Sequence, residues 1–161
     1  MKLAIGSDKS GYALKTAIAN YLTENGIEFT DLGITLDAPK PYVETAKRFG
    51  EGFKHGEFDK GILICGTGMG MAITANKFEG IYAACCESVY AAKMARAINN
   101  ANVLTMGGWI IGPEMGVAMA KAFLSTEWLE DLEDWRKEFL TNSSKTFKQV
   151  EKDSFDGKFD K

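Results

Sequence analysis

The stretch Gly61-Ile62-Leu63-Ile64-Cys65-Gly66-Thr67-Gly68-Met69-Gly70-Met71 decides the fold class, because its character changes abruptly at Cys65. Before Cys65 it is a short apolar run with strand character, and after Cys65 it is a turn with three glycines in five residues. Residues 71–77 then have helical composition. A strand, a glycine-rich turn and a helix in this order are typical of α/β proteins. The start of such a helix also favours an anion, because its first N–H groups have no intrahelical partner.

Cys65, the last residue of this predicted strand, has two interpretations. A thiol beside a helix N-terminus ionises more readily than a free one, so Cys65 can act as a base or a nucleophile. Cysteine is also among the residue types most often buried, and a structural role is equally consistent with this stretch alone. The turn matches neither the phosphate loop that ends in Gly-Lys-Ser/Thr nor the dinucleotide fingerprint.

Length and charge restrict the class of protein. The 161 residues can form one full core but not two ordinary domains. A formal net charge of −3 argues against a protein that binds nucleic acid or a membrane surface. No apolar run approaches the ~20 residues of a membrane span, and no signal peptide opens the chain.

The cysteines and the single histidine argue against a disulfide framework and a metal cluster. Of the three cysteines, Cys85 and Cys86 are adjacent, which favours a reducing cytoplasm and no disulfide. We expect both of these residues in the core. His55 follows a polar helix end, and we expect it to be exposed.

The chain alternates strands and helices. Strands are predicted at 2–7, 27–32, 61–65, 80–85 and 103–107. Helices are predicted from about residue 12 to Asn25-Gly26, and at about 42–54, 71–77 and 89–98. A further helix opens at Gly112-Pro113, and residues 33–41, with two of the three prolines, form a loop. These βα units predict an α/β fold with a five-stranded, mostly parallel sheet and helices on both faces.

The C-terminal part is predicted to be a helix followed by an arm. Residues 127–139 have the pattern of a charged amphipathic helix, and residues 141–161 are polar with scattered phenylalanines. We expect an α/β domain at 1–140 and a polar extension at 141–161. The helix and arm either pack on another surface such as a second subunit, or form a terminal helix with a frayed end.

Ligands of open parallel sheets bind beyond the carboxyl ends of the strands, where the strand order reverses. The polar residues expected at that edge are Asp8 and Lys9, Cys65 to Gly68, and Glu87-Ser88, and Asn99-Asn100 can join them. Asp8 can also be a helix-capping residue, and Asn99-Asn100 a helix C-cap.

Several motifs together carry a resemblance: Gly6-Ser7-Asp8, residues 61–71, Ala75-Asn76-Lys77, Met94-Ala95-Arg96, Asn102-Val103-Leu104 and Gly112-Pro113-Glu114. From Met1 to about Glu127 the chain resembles the family of ribose-5-phosphate isomerase B and the galactose-6-phosphate isomerase subunits. The resemblance implies a single Rossmann-like α/β/α domain that forms a homodimer or homotetramer, with the active site between subunits. It also implies aldose–ketose interconversion without a metal or organic cofactor.

The resemblance assigns roles to individual residues. Cys65 matches the catalytic base that moves a proton between C1 and C2, and Thr67 matches a catalytic position in the adjoining loop. The backbone N–H groups of that loop stabilise the enediolate, because the proton can leave only if the oxyanion is held. The matching substrate-binding positions are Asp8, Tyr42, Gly66, Gly68, Met69, Gly70 and Asn99, and Lys9 and Arg136 are candidates for the anionic end of the substrate.

The chain departs from the family pattern mainly at positions for ring opening and for phosphate binding. Lys9, Ile98 and Glu87 stand where the family has histidines, and the histidine at the second of these positions opens the sugar ring. Trp109 replaces an arginine that helps to hold phosphate, and only Arg136 and Lys137 lie where the family has paired arginines.

Two functions from different classes follow from this pattern. The first is a sugar phosphate isomerase that prefers short or open-chain sugars such as tetrose phosphates, because no ring-opening acid is retained. Trp109 would also narrow the far end of its pocket. The alternative is a non-catalytic sugar-binding relative, or the silent subunit of a hetero-oligomeric isomerase. The retention of Cys65 with its whole loop favours the enzyme.

Overall fold

The predicted alternation of strands and helices is present in the computed structural model, which describes residues 1–35 and 37–159. The strands are β1 (Leu3–Ser7), β2 (Phe29–Asp31), β3 (Lys60–Cys65), β4 (Ala83–Cys85) and β5 (Val103–Gly107). The helices are α1 (Tyr12–Glu24), α2 (Tyr42–Lys54), α3 (Met69–Ala75), α4 (Val89–Ala97), α5 (Pro113–Ser125) and α6 (Asp134–Phe155). Leu36 of the predicted loop, and Asp160 and Lys161 of the predicted extension, lie outside the described residues.

The five strands form one sheet in the order β2-β1-β3-β5-β4, and every neighbouring pair is parallel. The chain moves from β1 outward to β2, then returns to place β3 on the other side of β1. The loops after β1 and β3 therefore leave the sheet in opposite directions, which opens a crevice at their carboxyl ends. Cys65 is the last residue of β3 and lies at this crevice.

Helices cover both faces of the sheet, as predicted. On one face α1, α4 and α5 pack against alternate strand residues such as Ile5, Ile64 and Leu104. On the other face α2 and α3 pack against the intervening residues of the strands, such as Leu63 and Cys65. Because successive strand residues point to opposite faces and both faces are buried, the central strands are apolar along their length.

The C-terminal helix differs from the prediction. Residues 127–133 are not helical, because Leu129 and Asp131 adopt φ values of 67° and 55°, which a right-handed helix cannot contain. The helix is α6 instead, so the predicted boundary between residues 140 and 141 falls inside it. The Leu129 N–H donates to the Ala97 carbonyl at 2.9 Å, and the segment before α6 therefore passes the C-terminal end of α4.

One carboxylate and one aromatic ring anchor the second half of α6 to the domain. The Glu151 carboxylate accepts the Gly80 N–H and the Tyr82 hydroxyl, both at 2.8 Å. The Phe147 ring meets the Tyr82 ring edge to face at 5.2 Å. Burial raises the pKa of Tyr82, and the hydrogen bond to Glu151 raises it further. The first half of α6 leaves Trp135 and Phe139 exposed.

Candidate active site

Cys65 lies against a cavity of about 270 Å³ at the carboxyl edge of the sheet. The thiol is buried, and its Sγ accepts a hydrogen bond from the Gly68 N–H at 3.2 Å. The residues that line the cavity come from four segments, the loops after β1, β3 and β5 and the start of α2: Asp8, Ser10, Tyr42, Cys65, Gly66, Thr67, Gly70 and Trp109. The cavity therefore coincides with the crevice where the strand order reverses.

Gly68 gives the loop after β3 its shape. Its φ of 81° is a left-handed conformation that other residues rarely adopt, and an added Cβ would lie 2.7 Å from the Met106 backbone. In this conformation the Thr67–Gly68 peptide directs its N–H at the Cys65 thiol. The Ala72 N–H makes the first intrahelical bond of α3, to the Gly68 carbonyl, so the earlier N–H groups of α3 have no intrahelical partner.

The turn after β5 holds Trp109 over this loop. The Gly108 N–H donates to the Cys65 carbonyl at 2.8 Å, and the Trp109 N–H donates to the Gly66 carbonyl at 3.0 Å. The indole lies so close to Gly66 that an added Cβ there would be 2.8 Å from the ring. Trp109 is 74% exposed, so the backbone rather than side-chain burial fixes its position as a wall of the cavity.

Asp8 both fixes the turn before α1 and lies at the cavity. Its Oδ1 accepts the Gly11 N–H at 3.0 Å, which fixes the turn before α1. Its backbone N–H donates to the Ile64 carbonyl at 3.1 Å, which places the side chain at the cavity beside β3. Tyr42 reaches the cavity from the start of α2, and its ring lies against Gly70 in the same way as Trp109 lies against Gly66.

Most of the predicted site residues come together here. Lys9, Gly68 and Met69 adjoin lining residues in sequence but do not line the cavity themselves, and the side chains of Lys9 and Met69 are exposed. Ser10 lines the cavity and was not predicted. The sequence feature that could have indicated Ser10 is its position in the polar turn that follows the first strand.

Asn99 and Arg136 are not among the residues that line this cavity. Asn99 follows α4 and precedes β5, so it is at the amino ends of the strands, whereas Cys65 is at their carboxyl ends. Arg136 begins the helix whose preceding segment passes the end of α4. The neighbouring Asn100 has a φ of 52°, and its side chain accepts a hydrogen bond from Arg96 at 2.9 Å. This conformation and this contact close the C-terminal end of α4, which is the C-cap role that the sequence offered as an alternative to a role in the site.

The two adjacent cysteines have different environments. Cys86 is buried in the core beneath α1, α4 and α5, as predicted, and burial raises its pKa to about 11. The prediction for Cys85 was wrong, because this residue is exposed. Consecutive strand residues point to opposite faces, and Cys85 points toward the loop before α3, which only partly covers it. Even so, burial raises the pKa of its thiol.

Other parts of the chain offer little competing chemistry. A depression of about 780 Å³ at the amino edge, around Lys2, Gly26 and Glu57, has no cysteine or histidine among its described lining residues. His55 is exposed, as predicted. Residues 1–35 and 37–159 contain no group of three or more His, Cys, Asp or Glu side chains placed to hold a metal ion. No helix in these ranges is long and apolar enough to cross a bilayer.

Comparisons with known proteins show which family this chain is similar to. A family model described as Ribose/Galactose Isomerase matches residues 3–138. The 4-deoxy-4-sulfo-D-erythrose isomerase of Clostridium sp. (strain MSTE9) is 56% identical over 94% of this chain and 96% of its own. The D-erythrulose-4-phosphate isomerase of Pectobacterium atrosepticum is 40% identical over 80% of this chain and 85% of its own. The structure of the Leishmania infantum type B ribose 5-phosphate isomerase matches with a TM-score of 0.84 at 32% identity, over 95% of this chain and 97% of its own.

Proposed function

Because the chain belongs to the ribose/galactose isomerase family and is an aldose–ketose isomerase, we propose that it interconverts a four-carbon aldose and its ketose, with a sulfonate on the terminal carbon. The name of the 56%-identical relative supports this substrate. The observation that carries the proposal is the environment of Cys65, whose Sγ accepts the Gly68 N–H at 3.2 Å beside a cavity of about 270 Å³. Trp109 walls this cavity where the family pattern has an arginine.

Cys65 acts as the base in the proposed reaction. The thiolate removes the proton from C2 of the aldose, and the electron pair of the broken C–H bond moves to form an enediolate. The same sulfur then delivers a proton to C1 while the proton of the C2 hydroxyl is transferred to O1, which gives the ketose. Thr67 lies at the cavity with Gly66 and Gly70, and backbone N–H groups of this loop stabilise the oxyanion while it exists.

A four-carbon substrate accounts for the missing ring-opening acid. Pentose and hexose phosphates are largely closed rings, which must be opened by an acid at the ring oxygen before C2 can be deprotonated. A tetrose whose terminal carbon bears a sulfonate or a phosphate ester has no free terminal hydroxyl, and it cannot close a furanose ring. Ile98, at the C-terminal end of α4, stands where the family has the ring-opening histidine. Because a four-carbon substrate has no ring to open, the absence of an acid at this position leaves every step of the reaction with its catalyst.

The charges near the cavity suit a singly charged group. Among residues 1–35 and 37–159, no lysine or arginine lines the cavity, and Lys9 is the adjacent cation in sequence. A sulfonate carries one negative charge, whereas a phosphate monoester carries about 1.5–2 at pH 7. One or two cations with neutral donors such as Ser10 match the smaller charge.

We place the remaining cation and amide on a second copy of the chain. Asn99 lies at the amino ends of the strands, opposite Cys65, and Arg136 is not among the residues that line the cavity of its own chain. In a homodimer they would complete the partner's cavity, and the exposed Trp135 and Phe139 of α6 would be covered. A cytoplasmic, cofactor-free enzyme is part of the same proposal, in keeping with three free cysteines.

The test compares three substrates with the purified protein alone. Conversion of 4-deoxy-4-sulfo-D-erythrose, D-erythrose 4-phosphate and D-ribose 5-phosphate is followed by NMR in H2O and in D2O. We expect kcat/KM to fall in that order, and the product formed in D2O to carry deuterium at the carbon that is reprotonated. A kcat/KM for ribose 5-phosphate equal to or above that of both four-carbon sugars would overturn the substrate proposal. If the sugar is converted in D2O and neither substrate nor product acquires deuterium, the result would argue against an enediolate whose transferred proton exchanges with solvent.

A further inference from the structure

The peptide unit between Thr67 and Gly68 is held between two thiols. Its N–H donates to Cys65 Sγ at 3.2 Å, and its carbonyl oxygen lies 3.7 Å from Cys85 Sγ, within reach of a thiol hydrogen bond. Cys85 also packs on Gly68, because a Cβ added there would lie 3.0 Å from the sulfur. The two contacts lie at opposite ends of one amide, so a change at either end affects the other.

We propose that Cys85 is a positioning residue for the isomerase reaction: its S–H donates to the Thr67 carbonyl, orients the Thr67–Gly68 peptide and strengthens the N–H that stabilises the Cys65 thiolate. A hydrogen bond at an amide oxygen polarises the amide and makes its N–H a better donor. Removal of the Cys85 thiol would therefore weaken the hydrogen bond that Cys65 accepts and loosen the loop that carries the other N–H groups.

The surroundings of Cys85 keep it in the form that can donate. Burial raises the pKa of the Cys85 thiol, and the nearby Glu87 carboxylate raises it further, while the Thr105 hydroxyl acts in the opposite direction. Thr105 is the register partner of Cys85 on β5, so this neighbour is fixed by the sheet. At neutral pH Cys85 is accordingly a protonated donor.

Few titratable groups face the two thiols, so an effect of Cys85 can be separated from theirs. Asp8 reaches the Cys65 cavity from the loop after β1, and Tyr42 reaches it from α2. Glu87 follows Cys85 beyond the end of β4. All three remain in the variants described below. The inference rests on the proposed role of Cys65, but the thiolate can be measured without any substrate.

The test compares Cys85→Ala and Cys85→Ser with the wild type. The rate at which iodoacetamide alkylates Cys65 is measured against pH under single-hit labelling, with the labelled peptide identified by mass spectrometry. In Cys85→Ala we expect the midpoint of this profile to move up by about 0.3–0.6 pH units, and kcat to fall about three- to tenfold with a smaller change in KM. Cys85→Ser retains a donor and should restore most of both quantities.

Cys86→Ala is the matched control, because Cys86 is adjacent but lies in the core on the opposite face of the sheet. Its alkylation profile should match that of the wild type. Equal profiles for Cys85→Ala and the wild type would overturn the inference, and so would a Cys85→Ser variant that behaves like Cys85→Ala, since packing alone would then explain the contact. A shifted Cys65 profile in a protein that turns over none of the three sugars would instead leave the inference standing and reject the proposed function.

Discussion

The two edges of the sheet carry complementary halves of one chemistry. The carboxyl edge has the Cys65 thiol, which we propose as the base, a glycine-rich loop, and a cavity whose lining includes no lysine or arginine among the described residues. The amino ends of the strands have Asn99, and α6 carries Arg136 and the exposed aromatic side chains of Trp135 and Phe139. Such a division within one chain is expected if the carboxyl edge of one copy meets the amino edge of another, because each copy then supplies what the other lacks.

The largest expected effect is at the carboxyl edge. Cys65→Ala removes the proposed base, and general bases typically contribute about 10²–10⁴ to the rate. We expect kcat for the sulfo-tetrose to fall by about 10³ or more, with an unchanged fold by circular dichroism. Retention of near wild-type kcat would exclude Cys65 as the base. A loss of only about tenfold would indicate that Asp8, which lines the same cavity, shares the proton transfer.

The second prediction tests whether the two edges work together. Arg136→Met should lower kcat/KM about 10- to 100-fold, because it removes a cation from the anionic end of the substrate. An equal mixture of Cys65→Ala and Arg136→Met, unfolded and refolded together, should regain about a quarter of wild-type activity, because mixed dimers contain one intact site.

Lys9→Met provides the control for this complementation. Lys9 lies beside Asp8 at the carboxyl edge, in the same half-site as Cys65. A mixture of Lys9→Met and Cys65→Ala therefore contains no intact site, and no activity above the sum of the two variants is expected. Activity recovered in this mixture, or none recovered with Arg136→Met, would contradict a site shared between two copies.

The fold was predictable where local patterns decide it. The helix predicted at 42–54 matches α2 at Tyr42–Lys54, because its apolar residues fall on one face and its buried side, including Phe49, meets the sheet. The fourth strand was predicted at 80–85 but begins at Ala83. Residues 80–82 are held instead by the Asn102 side chain, which accepts the Tyr82 N–H and donates to the Gly80 carbonyl, both at 2.8 Å. No local pattern reports a contact of this kind.

The candidate site was predictable to a similar extent. Asp8, Tyr42 and the loop around Cys65 follow from the family motifs, and the structure gathers them around one cavity. The contact between Cys85 and the Thr67 carbonyl joins two loops that are distant in sequence, and a pair of adjacent cysteines in an apolar strand gives no sign of it. Which side of a short edge strand is covered depends on the helix packed there, and therefore on the complete fold.

The third prediction sharpens the chemistry of the carboxyl edge. Trp109→Ala enlarges the cavity without disturbing the turn, because backbone hydrogen bonds to Cys65 and Gly66 hold that turn. The ratio of kcat/KM for ribose 5-phosphate to that for the sulfo-tetrose should rise about tenfold. Ile110→Ala, at the next residue of the same exposed turn, should leave the ratio unchanged. An unchanged ratio in Trp109→Ala would mean that the indole does not limit substrate length.

The smallest expected effect concerns the anchor of α6 near the amino edge. Glu151→Gln weakens the hydrogen bonds to Gly80 and Tyr82, and it should lower the free energy of unfolding by about 1 kcal/mol in urea at pH 7, with little change in kcat. Glu138→Gln, at an exposed position of the same helix, should change the free energy of unfolding by less.

Because the folded protein raises the pKa of Tyr82, the unfolded chain ionises first as the pH rises, and this part of the stability is lost above the ordinary tyrosine pKa of 10.0. In the wild type, ionisation of Tyr82 also removes its hydrogen bond to Glu151. The difference in the free energy of unfolding between the wild type and Glu151→Gln should therefore become smaller above that pH. A difference near zero at every pH would mean that α6 is held mainly by Phe147 and its apolar contacts rather than by the carboxylate.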